Sequence, residues 1–185
     1  MKGVIFTEFL SMVDDAFCPH MTEQLLGDCD LASGGAYTSV GTYDHQEIIN
    51  LVGALSARSG VDASDLVKAY GEHLFGRFTK LYPQFFIDAH DLFDFLMEID
   101  ERIHGEVRKL YPDADLPALD ASMAAPQMLE IVYRSKRGLA DAAEGLIIGA
   151  AKHFNEPITI LRDNLSEGEE QCVRFLVKKR LTAAA

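Results

Sequence analysis

The segment YRSKRGLADAAEGL, residues 133–146, is where an extended segment gives way to a helix. The alternating apolar residues that lead into it predict a strand over 127–135, and the pattern that follows predicts a helix over 138–154. Three further segments also read as strands: 117–124, 157–163 and 171–178. The turn NLSEGEE favours a hairpin between the last two strands. The second half of the chain therefore predicts a small antiparallel sheet with one helix.

The first half of the chain has apolar residues at helical spacing almost throughout. Asp44 with Glu47 resembles a capping box, and Gly60 ends the helix that follows. Gly71 and Gly76 each cost about 1 kcal/mol relative to alanine inside a helix, which indicates a bend or a close packing contact. The other predicted helices cover 3–16, 19–27, 64–81 and 89–110. A helical N-terminal lobe packed on a C-terminal lobe with a four-stranded antiparallel sheet and helices is an α+β fold.

The composition, with 48% hydrophobic and 25% charged residues over 185 positions, is typical of one soluble globular domain. A net charge of −12 repels phosphate backbones, so no nucleic-acid partner is expected. No apolar stretch is long enough to predict a membrane span or a membrane partner. Three widely spaced cysteines, Cys18, Cys29 and Cys172, do not suggest a disulfide framework and fit a reducing, cytoplasmic compartment.

Tyr133, Ser135 and Arg137 leave the same face if this segment is extended, about 6.6 Å apart in successive steps. Such a set suits a ligand with two carboxylates, because arginine binds one of them bidentately while the hydroxyls donate to the other. Alone, the three residues also fit an ordinary solvated strand face. The Tyr/Lys pair of short-chain reductases and the G-x-S-x-G turn of hydrolases are both missing from this stretch, so no enzyme is indicated.

His104 lies in the helix predicted over 89–110, on one line with Phe93 and Met97. This spacing places it on the buried stripe of that helix or at its edge. One interpretation is a core histidine that hydrogen bonds to a backbone carbonyl or to Asp100, one turn earlier.

The other interpretation of His104 is a metal ligand, because a neutral imidazole in an apolar cleft is how many proteins hold haem iron. Gly105 supports it, since a missing side chain would let a flat macrocycle approach the helix closely. A zinc site around His20 is not favoured. Cys18, His20 and Cys29 have neither the spacing nor the fourth ligand of a structural zinc site.

Taken together, these features resemble the H-NOX family, the haem-based nitric oxide and oxygen sensors of bacteria and of soluble guanylate cyclase. The resemblance covers nearly the whole chain in these segments: MKGVIF, YTSVGTYDHQEI, FGRFTKLYPQFF, IHGEVRKLYPDADLP, YRSKRGLADAAEGLIIGAAKHF and QCVRFLV. Its most specific features are His104 ahead of Tyr-x-Ser-x-Arg, and Pro117 after the helix. The resemblance implies one domain over 1–180, with haem between a helical lobe of about 1–60 and a lobe of about 61–180, and a disordered tail at 181–185.

The resemblance also implies roles for individual residues. His104 would be the proximal ligand of the iron of haem b. Three residues would bind the haem propionates: Tyr133, Ser135 and Arg137. Ile5 and Pro117 would press on the porphyrin and distort it. Some bacterial members hold zinc near the last helix, and Cys172 matches one ligand position, but no cysteine stands in the helix, so no structural zinc is expected.

Oxygen-binding members of this family have a distal tyrosine five residues after the motif arginine, and here that position is Ala142. The other residues expected on the distal side are apolar: Phe9, Leu74, Phe78 and Leu146. Bound O₂ gains from a nearby hydrogen-bond donor, whereas NO binds ferrous iron without one. The resemblance and this apolar pocket therefore predict a ferrous haem that binds NO and CO but does not bind O₂ stably.

In this family NO weakens the bond to the proximal histidine, which would release the helix 89–110 and let the lobes shift. Short bacterial members regulate a histidine kinase or a cyclic-di-GMP enzyme, either a diguanylate cyclase or a phosphodiesterase. The resemblance implies such a partner for a stand-alone bacterial sensor with no catalytic centre. The second half is also similar to V4R domains, which bind small molecules. That alternative, a haem-free regulatory module for an apolar ligand, leaves His104 and the Tyr-Ser-Arg set without a joint purpose.

Overall fold

The computed structural model describes residues 1–180, and its first part is helical. The α-helices of these residues are α1 (Gly3–Ala16), α2 (Pro19–Asp28), α3 (His45–Ser59), α4 (Ala63–Leu81), α5 (Leu92–Met97), α6 (His104–Leu110) and α7 (Ala140–His153). A 3₁₀ turn covers Pro83–Phe85 and a π turn covers Ile99–Ile103. Within 1–180, no helix combines the length and apolar character needed to cross a bilayer. The disorder predicted for 181–185 lies outside the described residues.

The strands form one antiparallel sheet in the order β1-β2-β4-β3. They are β1 (Ala118–Ala125), β2 (Met128–Ser135), β3 (Ile158–Asn164) and β4 (Gln171–Lys179). Every pairing is antiparallel, and β3 and β4 form the predicted hairpin. The α+β fold class predicted from the sequence is therefore confirmed.

Strand β2 is bonded on both sides, and alternate side chains point into the core. Leu129, Ile131 and Tyr133 are the buried ones. In the register, Tyr133 lies opposite Leu119 of β1 and Val173 of β4. Since both ladders hold β2, the backbone at its C-terminal end is fixed in position.

The core divides into two hydrophobic clusters, and α4 contributes to both. Leu74 is buried in the N-terminal cluster, with residues of α1 and α3, whereas Phe75 is buried in the C-terminal cluster, with the sheet, α5 and α7. Leu146 of α7 packs against both clusters. The division near residue 60 stays a prediction, and α4 is the element that joins the two clusters.

Helix α3 begins and ends as the sequence predicts, but Glu47 has a different role. Oδ1 of Asp44 accepts a hydrogen bond from the N–H of Gln46 at 2.9 Å, and Gly60 ends the helix with a φ of 72°. Glu47 is buried, and its carboxylate accepts hydrogen bonds from the hydroxyls of Ser33 and Tyr37. The capping-box prediction for Glu47 is therefore wrong, because its carboxylate holds the glycine-containing loop before α3.

The helix predicted over 89–110 is not continuous, because the π turn separates α5 from α6. A π turn has more residues per turn than an α-helix, so it rotates His104 relative to the residues of α5. The buried face of α5 is centred on Leu92 and Leu96, about 120° from Met97. Met97 is 41% exposed, so the prediction that it shares a buried line with Phe93 and His104 is wrong.

Helices α4 and α7 approach so closely that glycine is required where they cross. A Cβ atom added to Gly71 would overlap the carbonyl oxygen of Ala142, and one added to Gly145 would overlap the carbonyl oxygen of Lys68. Both obstacles are backbone atoms, which cannot turn aside as a flexible side chain can. Gly76, also in α4, faces open space. The close contact predicted at these two glycines of α4 exists at Gly71 only.

The substitution Gly71→Ala should destabilise the protein by roughly 2 kcal/mol, because overpacking costs about 1–3 kcal/mol. The matched control Gly76→Ala adds the same methyl group to the same helix without a clash, so it should stabilise by up to about 1 kcal/mol. Urea unfolding followed by circular dichroism measures both changes. Equal midpoints for the two variants would contradict the close crossing of α4 and α7.

Candidate functional site

His104 is the first residue of α6, directly after the π turn, and its side chain is 14% exposed. Its Nδ1 lies 3.0 Å from Oδ1 of Asp100. Because a carboxylate only accepts hydrogen bonds, this contact assigns the proton to Nδ1 and leaves the lone pair of Nε2 free. Burial lowers the pKa of the His104 imidazole, although the Asp100 carboxylate opposes that shift. Burial therefore favours the neutral ring, in which Nε2 can bind a metal ion.

The side of α6 next to His104 is open. A Cβ atom added to Gly105 would meet no atom within 4 Å. The contact with Asp100 is the hydrogen bond expected of a core histidine. The metal-ligand interpretation stays a prediction, and it is compatible with this contact because Asp100 engages only one of the two ring nitrogens.

The three polar residues at the end of β2 do not all lie on the strand. Tyr133 and Ser135 belong to β2, and Arg137 lies in the turn that follows it. Tyr133 is 3% exposed, and burial raises the pKa of its phenol, so the hydroxyl keeps its proton and can donate. Oγ of Ser135 accepts a hydrogen bond from the backbone N–H of Arg137 at 3.1 Å, which shapes the turn.

Arg137 binds a carboxylate of this chain. Its Nη2 lies 3.1 Å from Oδ2 of Asp115, whose side chain is 73% exposed and therefore only weakly held. A haem group carries two propionate carboxylates on a flat ring. Arg137, which already binds one carboxylate, and the hydroxyls of Tyr133 and Ser135 fit the propionates. The open side of α6 at Gly105 fits the flat ring.

The residues predicted around the distal side lie mostly together. Five of them pack in the N-terminal cluster: Ile5, Phe9, Leu74, Phe78 and Leu146. Ala142 lies in the first turn of α7, where its carbonyl oxygen faces Gly71. Pro117 is half-buried directly before β1. The structure therefore brings the apolar set together across α1, α4 and α7.

Tyr70 also lies in the N-terminal cluster, and its pattern in the sequence gave no sign of a role. Its ring packs edge-on against Phe9, with centroids 5.4 Å apart. Its hydroxyl donates a hydrogen bond to the carbonyl oxygen of Ile5, and burial raises its pKa well above the usual value. The single proton of this hydroxyl is therefore engaged by the backbone of α1.

The family of the chain follows from a comparison with known protein families. The family model described as Haem-NO-binding matches residues 2–162. The chain belongs to the H-NOX family. Proteins of this family are haem-based gas sensors, so the match favours a haem site over the V4R alternative. No curated protein matches this H-NOX chain.

Solved H-NOX structures share the fold over the full length of the chain. An unliganded Fe(II) H-NOX protein from K. algicida is 36% identical, covers 100% of both chains and superposes with a TM-score of 0.92. An S. oneidensis H-NOX protein in the Fe(II)NO state is 28% identical, with a TM-score of 0.86 over 98% of this chain and 100% of its own. An oxygen-bound H-NOX domain, 24% identical, has a TM-score of 0.84 over 98% and 96% of the two chains and shows the fold alone.

This H-NOX domain also buries a carboxylate that the sequence did not indicate. Glu8 follows the helical spacing of α1 and is 7% exposed, next to Phe9 of the distal set. Its Oε2 accepts a hydrogen bond from Nε of Arg77 at 2.5 Å. The pair joins α1 to α4, and Arg77 neutralises the charge of the buried carboxylate. No local pattern in the sequence predicts this ion pair, because Glu8 and Arg77 lie 69 residues apart.

Proposed function

We propose that this H-NOX protein binds haem b through Nε2 of His104 and senses NO, and also CO, without binding O₂ stably. The observation that carries the proposal is the largely buried imidazole of His104, held through Nδ1 by Asp100 beside the open face at Gly105. The family match supports haem as the group that it binds.

Different residues of the chain would bind different parts of the haem. Bound haem supplies a ferrous iron that takes a diatomic gas. Tyr133, Ser135 and Arg137 would bind its propionates, with Arg137 exchanging the exposed carboxylate of Asp115 for a propionate. Ile5, whose carbonyl is bound by Tyr70, and Pro117 would press on the ring from α1 and from the start of β1.

Gas selectivity would follow from the apolar distal set. Hydrogen-bond donors near the iron decide whether O₂ is held. Ala142 stands where a tyrosine would be needed, and Phe9 and Leu74 are buried without a polar atom in their side chains. The hydroxyl of Tyr70 donates its hydrogen bond to the carbonyl oxygen of Ile5 instead. The pocket therefore suits NO and CO, which need no donor.

The output would be a change of shape read by another protein. His104 is joined through α6 and the π turn to α5, so release of its Nε2 would free this segment to move against the sheet. We infer a stand-alone bacterial sensor without catalysis of its own, whose partner is a histidine kinase or a diguanylate cyclase or phosphodiesterase. The wide spacing of Cys18, Cys29 and Cys172, with no disulfide among them, supports a cytoplasmic location, and we propose no structural zinc site.

The test of this proposal is the absorption spectrum of the purified protein. We expect a Soret band, a ferrous spectrum that air does not change to that of an oxygen complex, and a shift of the band when NO or CO is added. A colourless protein that gains no Soret band when haem is supplied would contradict haem binding. A stable oxygen complex would contradict the proposed selectivity alone.

His104→Gly should lose haem and regain it when imidazole is supplied, since free imidazole can replace the missing ligand in the space left by the side chain. Haem content by the pyridine haemochrome assay measures the effect. His90→Gly is the control, because this exposed histidine lies outside α5. Unchanged haem content in the His104 variant would place the ligand elsewhere.

Ala142→Tyr alone should not confer stable O₂ binding, because neither Leu74 nor Phe9 can hydrogen bond to the new hydroxyl and hold it in place. Ala142→Phe is the matched control, with the same ring and no hydroxyl. The two variants should have the same ferrous spectrum in air. A stable oxygen complex in the tyrosine variant only would show that another donor supports the hydroxyl.

A further inference from the structure

Asp100 binds two side chains with one carboxylate oxygen. Its Oδ1 lies 3.0 Å from Nδ1 of His104 and 3.2 Å from Nη2 of Arg108. Nη1 of Arg108 also lies 3.4 Å from the carbonyl oxygen of Asp100. Oδ1 of Asp100 is therefore shared between the imidazole of His104 and the guanidinium of Arg108, which lies one turn further along α6.

The contact to His104 is shielded on one side and open on the other. The side chain of His104 is 14% exposed, whereas those of Asp100 and Arg108 are 37% and 48% exposed. The bond between carboxylate and imidazole therefore lies at the boundary of the core, where water screens it less than it screens a surface pair. Arg108, on the outer side, withdraws part of the negative charge from the same oxygen.

The backbone around Asp100 is also held. Asp100 belongs to the π turn, and Arg102 in the same turn binds Asp88 at 2.5 Å and Glu98 at 3.0 Å. These exposed pairs link the turn to the residues before it and contribute only weakly to holding it. The carboxylate is therefore presented to Nδ1 by a segment whose conformation is specified locally, as π turns at functional sites often are.

We propose that Asp100 is a positioning residue for His104. The carboxylate of Asp100 sets the strength of the bond between Nε2 of His104 and the haem iron, and the ion pair with Arg108 weakens that effect. A carboxylate that accepts the Nδ1 proton fixes the tautomer and the ring orientation, and it raises the electron density on Nε2. This inference rests on the proposed role of His104 as the iron ligand. In a sensor that responds by releasing this ligand, the shared carboxylate sets how readily release occurs.

The haem-free protein tests the positioning by itself. In wild type, ¹⁵N NMR of the His104 ring should show Nδ1 protonated and Nε2 unprotonated. In Asp100→Asn the two tautomers should mix, because a neutral amide is a weaker acceptor. Glu101→Gln is the control, since Glu101 is exposed and adjacent in the same turn. A His104 signal identical in wild type and Asp100→Asn would overturn the proposal even if the protein binds haem.

The haem-loaded protein tests the effect on the bond. The resonance Raman frequency of the bond between iron and His104 should fall in Asp100→Asn and rise in Arg108→Gln, and Asp100→Glu should recover part of the loss. Transfer of haem to a scavenger protein should be about tenfold faster in Asp100→Asn. If Asp100→Asn does not fold, the test rests on Arg108→Gln, in which the frequency of the bond between iron and His104 should rise.

The two ways of failing are distinct. Unchanged frequencies in wild type, Asp100→Asn and Arg108→Gln, with haem lost only in His104→Gly, would overturn the role of Asp100 and leave the proposed function intact. A wild-type protein without a bond between iron and histidine would overturn both.

Discussion

The close crossing of α4 and α7 is the contact on which the rest of the structure depends. Gly71 and Gly145 let backbone meet backbone there, which a single methyl group at either position would prevent. The crossing places Leu146 of α7 against both hydrophobic clusters, and it places Leu74 and Phe75 of α4 in different clusters. This pair of helices therefore joins the helical part to the sheet, and the apolar distal residues lie together in the N-terminal cluster.

Most of the fold could be predicted from periodicity because the elements are regular. Helix α1, the cap at Asp44 and the left-handed Gly60 all follow local rules that need no tertiary information. The π turn could not be predicted in this way, since its five residues have the same composition as an amphipathic helix. Its effect is to rotate His104 relative to α5. Met97 precedes the turn, and its exposure depends on which residues of α5 the core covers.

The site could be predicted where its residues form a motif, and not where they are joined by the fold. His104 and Tyr133 stand in patterns that the sequence displays, and Asp100 lies one turn from His104, so its contact could be anticipated. Asp115 and Arg137 meet only because the turn after β2 lies beside the segment before β1. The hydroxyl of Tyr70 and the carbonyl of Ile5 are 65 residues apart, beyond the reach of any local rule.

The contacts around α6 indicate where movement of this segment would be felt. After α6 ends, the ring of Tyr111 lies 4.6 Å from Nζ of Lys2, and Asp113 binds the same ammonium at 3.0 Å. Lys2 precedes α1, which carries Ile5 and Phe9. These links are polar and partly exposed, so they exchange partners at small cost. The α4–α7 crossing consists of packed backbone and has no alternative partners. In the proposed sensor, movement of His104 would therefore change the contacts at the start of α1, while α4 and α7 keep their relative position.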